Sequence, residues 1–321
     1  MYTIKDIAKA CGVSTATVSR AYDKNAVIKE KTREYILKTA NEMGYFPNIV
    51  ARGLKTSKSQ IVGIIIPSVQ NSFYLDLLKH IEIELHKHNY RLMVIFLQHG
   101  VIEERDALET MVYSKVEALI IFPRTRINEN YIKEISERIK VIQLFTAPYD
   151  EYGSLIMNDK LGVETAVEYL FSMGHKRILY IGGDIRVEGL YNAYNKHGIA
   201  MDHNMISLDW LTDIDSIIDI INNTNPTAIL AVANQAAAAW KALIKMFVKI
   251  PDYISFIAYD DVNWVQICNV TAIAHPLANI AETLIGNLIE LIKSGNKNKV
   301  IIDPYIIERN TVKFIGYADN K

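Results

Sequence analysis

The sequence predicts an α/β protein built in two parts, an all-α N-terminal domain followed by a two-lobed core of doubly wound parallel sheets. Apolar residues recur at helical spacing on both sides of Gly12-Val13-Ser14. From Ile61 onward, short apolar runs alternate with amphipathic stretches, the rhythm of a parallel sheet carrying helices on both faces. Charge divides at the same place. Residues 1–60 hold 11 Lys/Arg against 5 Asp/Glu while the whole chain holds 35 against 36, so a basic segment of +6 precedes an acidic remainder of −7.

A chain of 321 residues, half of them hydrophobic, is long enough for two or three domains with a sizeable buried core. It has no apolar run of about eighteen residues and no charged-then-apolar leader, so neither a membrane span nor a secretion signal is expected. The expected location is the cytoplasm. Cys11 and Cys268 are too few for a disulfide framework or a zinc site and are read as buried free thiols. No metal and no cofactor is expected.

Taken in order, Ile4, Ile7, Ala8 and Cys11 give one face of a first helix, Gly12 supplies a left-handed end, and Ser14 can cap a second. Val13 and Val18 are expected to pack the two together. That leaves Thr15, Ala16 and Arg20 on the outer face of the second helix, small, polar and basic as a helix entering a DNA major groove requires. After a polar loop over 22–28, residues 29–43 read as a third helix with Ile36, Leu37, Ala40 and Met43 turned inward and Gly44 capping it. Basic charge on such a domain favours contact with phosphates through counterion release.

Thr3-Ile4-x-Asp6-Ile7-Ala8 and Gly12-Val13-Ser14-x-x-Thr17-Val18-Ser19-Arg20 resemble the headpiece of the lactose-repressor (LacI/GalR) family of bacterial transcriptional regulators. The match continues through Lys31-Thr32-Arg33 and Tyr45-x-Pro47-Asn48-x-x-Ala51-Arg52-x-Leu54. The resemblance implies a helix-turn-helix headpiece over 1–46, a hinge helix and linker over 47–59, and a periplasmic-binding-protein-like effector and dimerisation core over 60–321. Double-stranded operator DNA is the implied partner. Arg20 would read base edges beside Thr15 and Ala16, while Thr17, Ser19, Thr32, Tyr45 and Asn48 would hold phosphates or buttress the domain. Thr3, Ser14, Ala51 and Arg52 complete the DNA-binding set, and Leu54 would be an apolar wedge at the operator centre. Gly53 lowers helix propensity there by about 1 kcal/mol relative to Ala, which suits a segment that orders on DNA.

In the core, residues 61–66, 91–97, 118–122 and 141–145 read as strands, with helices near 72–88, 102–114 and 129–138. A second series has strands near 177–182, 227–232 and 254–259 and helices near 161–173, 187–198, 213–223 and 235–248. A last helix near 277–294 and strands near 299–302 and 306–310 would cross back, since in the family the chain passes between lobes three times. The end of the sequence carries no heptad tail, so a homodimer is expected.

Doubly wound lobes bind ligands outside the C-terminal ends of their strands. There the first lobe offers Ser68, Asn71, Phe73 and Tyr74, and the second offers Arg186, Trp210, Asn234, Asp260 and His275. Asp, Asn and Arg suit adjacent hydroxyls and the aromatic rings suit a sugar's apolar face, so a small polar effector, a sugar first, is expected. Resemblance adds weight to Arg186 in Arg186-x-x-Gly189, to Asn234, and to Asp260 in Ala258-Tyr259-Asp260-Asp261. The chain departs from the family pattern at Gln235, where Asp is usual, at Ala258 for Gly, in the order of Asn158-Asp159, and at Thr146-Ala147, where Asp-Arg is common. The bland alternatives are an ion pair of Arg186 with Asp184 or Glu188, a core role for Trp210, and Asp260 as a helix cap.

The function expected is that of a repressor whose operator affinity falls when the core binds its effector. A partner protein or a corepressor in place of an inducer is the alternative, and a sugar-binding transport protein of the same fold a more distant one. No Gly-x-Ser-x-Gly element, phosphate loop, metal spacing or Rossmann glycine fingerprint is present, so an enzyme is not expected.

Overall fold

The fold is described from a computed structural model, over residues 2–22, 26–45, 59–68, 71–97, 100–123, 125–208 and 211–316. Contacts divide the chain into two compact units, Met1–Ser59 and Gln60–Lys321.

The first unit holds α1 (Ile4–Cys11), α2 (Thr15–Ala21) and α3 (Glu30–Glu42). Gly12 at φ +66 ends α1, and the Ser14 hydroxyl caps α2 by accepting from the Thr17 amide at 3.1 Å. Ile7, Ala8, Val18, Ala21, Ile36 and Ala40 form its core, with Val13 and Met43 packed against them. Leu37 was expected inside and is exposed, because the buried stripe of α3 runs through Ile36 and Ala40 four residues apart. Arg33 donates to the carbonyls of Ala21 at 2.9 Å and Ala26 at 3.0 Å, tying the end of α2 to α3.

The second unit contains two six-stranded sheets. The first lobe uses β1 (Ile61–Ile66), β2 (Arg91–Phe96), β3 (Ala118–Ile121), β4 (Lys140–Phe145) and β5 (Gly153–Met157), with α4 (Ser72–Lys87), α5 (Gly100–Tyr113) and α6 (Glu129–Ser136) between them. The second lobe repeats the plan with α7 (Asp159–Ser172), β6 (Ile178–Ile181), α8 (Asp184–Lys196), β7 (Ile206–Ser207) and α9 (Ile214–Thr224). It continues with β8 (Ala228–Val232), α10 (Ala233–Lys245), β9 (Ser255–Tyr259), α11 (Asn263–Ile267) and β10 (Thr271–Ala274). The chain closes with α12 (Leu277–Ser294), β11 (Lys299–Ile302) and β12 (Tyr305–Ile307).

Strand order in the first sheet is β11-β5-β4-β3-β1-β2 and in the second β12-β10-β9-β8-β6-β7, all parallel except β12, which runs antiparallel to β10. Each lobe therefore reverses winding once, between β1 and β3 and between β6 and β8. A crevice opens outside the sheet at such reversals. Strands buried on both faces read as continuous apolar runs, as in Ile61-Val62-Gly63-Ile64-Ile65-Ile66. Sequence reasoning misses β7 and α11 because they are short, and β5 and β10 because they carry Gly, Ser and small residues instead of a β-branched run.

The chain crosses between lobes at Asn158, at His275-Pro276 and at Asp303-Pro304, since α12 packs on α4 and β11 joins β5 in the first lobe. Two crossings are tied together. The Asn158 side chain donates to Asp303 Oδ1 at 2.8 Å, and its amide to the Ile302 carbonyl at 2.9 Å. Cys268, expected to be buried, is exposed after the short α11, whose only buried residue is Val265.

His175 pins the C-terminal segment to the second lobe. Its Nε2 must donate to the Lys313 carbonyl at 3.0 Å, while Nδ1 stands 3.1 Å from the Thr227 hydroxyl. Burial holds its pKa below the ordinary 6.5 despite the opposing Lys313 hydrogen bond, so below pH 6.5 the unfolded chain binds the proton more readily than the native one. This stabilising contribution is complete above pH 6.5 and is lost as pH falls toward the depressed value. Melting of His175→Gln followed from pH 7.5 to 5 is expected to show a shallower loss of stability than the parent; parallel curves would rule this linkage out.

Candidate functional site

In the headpiece, Thr15, Ala16, Ser19 and Arg20 are exposed on α2 while Val18 is fully buried beneath them. Thr17 and Thr32 are half-buried, and the Thr17 hydroxyl lies 3.0 Å from that of Ser14. Thr3 is engaged at the start of α1, where its amide and hydroxyl both donate to Asp6 Oδ2 at 2.7 Å. Tyr45 packs its ring edge-on to Tyr22 at 6.1 Å. Asn48, Ala51, Arg52 and Leu54 lie outside the described residues, as does Trp210.

In the core, a cleft of about 710 Å³ opens where the strand ends of both lobes face one another. Ser68, Asn71, Phe73, Tyr74, Arg186, Asn234, Asp260 and His275 all line it. The first-lobe wall is aromatic. Phe73, Phe145, Phe122 and Tyr74 form a chain of ring contacts 5.5 to 5.6 Å apart, and Phe73 meets the His275 ring edge-on at 5.4 Å. Asn71 caps α4, accepting from the Phe73 amide at 3.0 Å, and so fixes where these rings begin.

The second-lobe wall is polar and built from helix first turns. Helices α7, α8 and α10 begin two or three residues earlier than the periodicity indicates, which brings Asp159, Arg186, Asn234 and Gln235 into their opening turns. Arg186 pairs with Asp159, Nη2 to Oδ2 at 3.2 Å, and its guanidinium lies 4.8 Å over the Tyr259 ring. The other Asp159 oxygen accepts from the Tyr259 hydroxyl at 2.9 Å. Burial disfavours the guanidinium charge, but Asp159 and Asp260 hold its pKa above the usual value; burial and Asp159 push the Tyr259 hydroxyl well above 10. The expected alternative partner Glu188 pairs instead with Lys160, at 2.5 Å. Asp260 does not cap a helix. It is buried and meets His275, Oδ1 to Nε2, at 3.2 Å.

Two glycines make this wall possible. A Cβ on Gly189 would run into the Lys160 carbonyl, so α8 could not approach α7 with a larger residue there, and one on Gly162 would run into the Tyr259 hydroxyl, so α7 could not lie against the end of β9. Strain is stored at the same rim: Phe145 at φ +66, Ala233 at φ +50 and Asp260 at φ +83 take left-handed conformations at the ends of β4, β8 and β9.

Several buried polar atoms in the cleft have no hydrogen-bond partner: both amide atoms of Gln235, Nε of Arg186 and Nδ1 of His275. An unpaired buried polar atom costs about 1–3 kcal/mol, and these atoms are hydrogen-bonding capacity that the protein's own side chains do not satisfy. Sequence reasoning leaves Asp159, Gln235 and Tyr259 out of the site although each sits in a stretch it singles out. The Asn158 cap ahead of Asp159, accepting from the Leu161 amide, is the signal that would have started α7 early enough.

A helix-turn-helix with an exposed basic second helix, carried on one chain with a two-lobed ligand cleft, defines a DNA-binding transcriptional regulator. The model of bacterial regulatory proteins of the lacI family matches residues 3–48, and that of periplasmic binding proteins and the sugar binding domain of the LacI family matches residues 59–314. The chain belongs to the lacI family. It is 27% identical to the HTH-type transcriptional repressor PurR of Vibrio atlanticus (strain LGP32), over 98% of this chain and 100% of that one. To the regulator GalS of Salmonella typhimurium it is 26% identical, over 88% and 87% respectively. Among solved structures it resembles the Lac repressor bound to ONPG in its repressed state, with a TM-score of 0.83 at 21% identity over 97% of this chain and 99% of that one.

Proposed function

We propose that this regulator is a cytoplasmic, homodimeric repressor whose operator affinity is lowered when a small sugar-like effector binds between the core lobes. The observation that carries the reading is the set of unpartnered buried polar atoms on Gln235, Arg186 and His275, facing an aromatic wall across one cleft. Arg186, Asn234 and Asp260 hold the effector's hydroxyls, and Phe73 and Tyr74 take its apolar face, with Ser68, Asn71, His275 and, from outside the described residues, Trp210 completing the site. Residues 1–46 form the headpiece, 47–59 the hinge and linker, and 60–321 the core. The exposed Phe247 (93%), Ile244 and Ile267 support the dimer, the last two on helices whose Trp240 and Trp264 rings lie 6.0 Å apart.

On the headpiece Arg20 reads bases while Thr17, Ser19, Thr32 and Tyr45 hold phosphates or buttress it, joined by Thr3, Ser14, Thr15 and Ala16. Outside the described residues, Asn48 holds phosphates or buttresses the domain, Ala51 and Arg52 belong to the DNA-binding set, and Leu54 is the apolar wedge at the operator centre. A bidentate Arg–guanine contact discriminates by about 1–3 kcal/mol whereas a phosphate contact carries little sequence information. Arg20→Ala is expected to relax specificity at one position in each half of a near-palindromic site, read by selection from random duplexes. Uniform weakening on every sequence would remove Arg20 from base reading.

An effector changes operator affinity only through its differential affinity for two states of the protein, and the coupling is reciprocal. Operator titration by fluorescence anisotropy with and without a sugar panel tests the reading. Release by at least one sugar is expected, with operator weakening that sugar's binding by the same factor. A parent whose operator affinity no metabolite alters would point instead to a protein partner or to a ligand-independent regulator.

A further inference from the structure

The charges in the cleft narrow the effector further, on the reading that the cleft is an effector site. Among the described lining residues the cationic or protonatable side chains are Lys160, Arg186 and His275, and each already has a carboxylate beside it. Lys160 meets Glu188 at 2.5 Å, Arg186 meets Asp159 at 3.2 Å and His275 meets Asp260 at 3.2 Å. Asp159 is committed at both oxygens, the second accepting from Tyr259 at 2.9 Å. A ligand carboxylate or phosphate would have to pull Arg186 away from Asp159 and then sit beside Asp159 and Asp260, with only the half-exposed Lys160, itself beside Glu188, as a further cation among these residues to offset them.

The atoms left open ask for something different. The buried Gln235 amide presents one acceptor and one two-hydrogen donor, Arg186 Nε is a donor, and His275 Nδ1 completes the set. Hydroxyl groups both donate and accept, so a polyhydroxylated ring can satisfy this mixture without bringing charge. Its C–H face suits the wall made by Phe73, Tyr74, Phe122 and Phe145.

We infer that the cleft selects an uncharged polyhydroxy ring, and that Asp159, by occupying Arg186 within the protein, is the residue that rejects sugar acids and sugar phosphates. Neutral selectivity is then a matter of an unfavourable element built against the wrong ligand as much as of contacts to the right one. Asp159 and Gln235 join the specificity-determining residues for a reason particular to this chain: the carboxylate follows Asn158, and an amide stands at 235.

Titration calorimetry of the full-length protein with matched pairs decides the matter: glucose and glucuronate, galactose and galacturonate, ribose and ribose 5-phosphate. At least one neutral member is expected to bind ten times or more tightly than its anionic counterpart. In Asp159→Asn, which keeps the side-chain shape and frees Arg186 from its counter-charge, that ratio is expected to fall at least tenfold. Anionic members binding the parent as tightly as the neutral ones would overturn the inference while leaving the effector site standing. Failure of every pair to bind would overturn the effector-site reading itself. A folded Asp159→Asn, checked by its melting curve, that keeps the parental ratio would remove Asp159 from selectivity; should the variant not fold, the parental ratios still decide.

Discussion

Asp260→Ala is expected to lower effector affinity by about a hundredfold or more and to abolish effector-driven release from operator DNA. Asp260 is buried at the end of β9, in the cleft, with His275 as its neighbour at 3.2 Å. A carboxylate there can accept from two adjacent hydroxyls, and hydrogen bonds to a charged group are worth about 1.5–3 kcal/mol each, which is about tenfold to 150-fold in affinity for each bond. The change also leaves the His275 ring buried without its acceptor and asks alanine to hold φ +83. Asp260→Asn tolerates that conformation and still accepts from His275, so its melting point should stay closer to the parent's while its effector affinity still falls. Operator binding without effector should persist in both variants, because the headpiece core of Ile7, Val18 and Ile36 lies in a separate compact unit. A sugar that released Asp260→Ala and the parent at the same concentration would exclude Asp260 from the site.

The headpiece was legible because its determinants are local. Gly12 and the Ser14 cap act within three residues of where they stand, and a four-residue period places Ile36 and Ala40 inside. The same reasoning overreached at Leu37, where an adjacent apolar residue falls about 100° away around the helix and meets solvent. In the core the strand-helix alternation and the strand ends were readable, so all the described candidate residues face one cleft. What could not be read was pairing at a distance. Asp159 meets Arg186 from another helix and Tyr259 from 100 residues further along, and no period in the sequence encodes either contact. The burial of Gln235 likewise follows from how α10 leaves β8 through the left-handed Ala233, which propensity does not foresee.

Arg309→Leu is expected to destabilise the core by about 2–4 kcal/mol and to weaken the effector with it. Arg309 follows the edge strand β12 and forks onto Asp261, Nη1 to Oδ1 at 2.7 Å and Nη2 to Oδ2 at 2.9 Å, while Nη1 also donates to the Val270 carbonyl at 2.6 Å. The two side chains are 16% and 15% exposed, so water screens the pair little. Removing one partner of such a pair leaves a largely buried, uncompensated carboxylate, a loss of about 3–5 kcal/mol in a full interior and somewhat less at this exposure. The brace also has a positional role. Asp261 is the neighbour of the strained Asp260, whose amide is held by the Ile273 carbonyl at 3.0 Å, so Arg309 clamps the turn that aims Asp260 into the cleft. Arg309→Lys retains the charge but not the planar two-point fork and should fall between parent and Leu in both readouts. Urea unfolding followed by circular dichroism, with sugar titration on the same samples, separates the two effects. If the brace positions Asp260, Arg309→Lys loses effector affinity out of proportion to its small loss of stability; affinity unchanged in a destabilised Leu variant would reduce Arg309 to a fastener of β12.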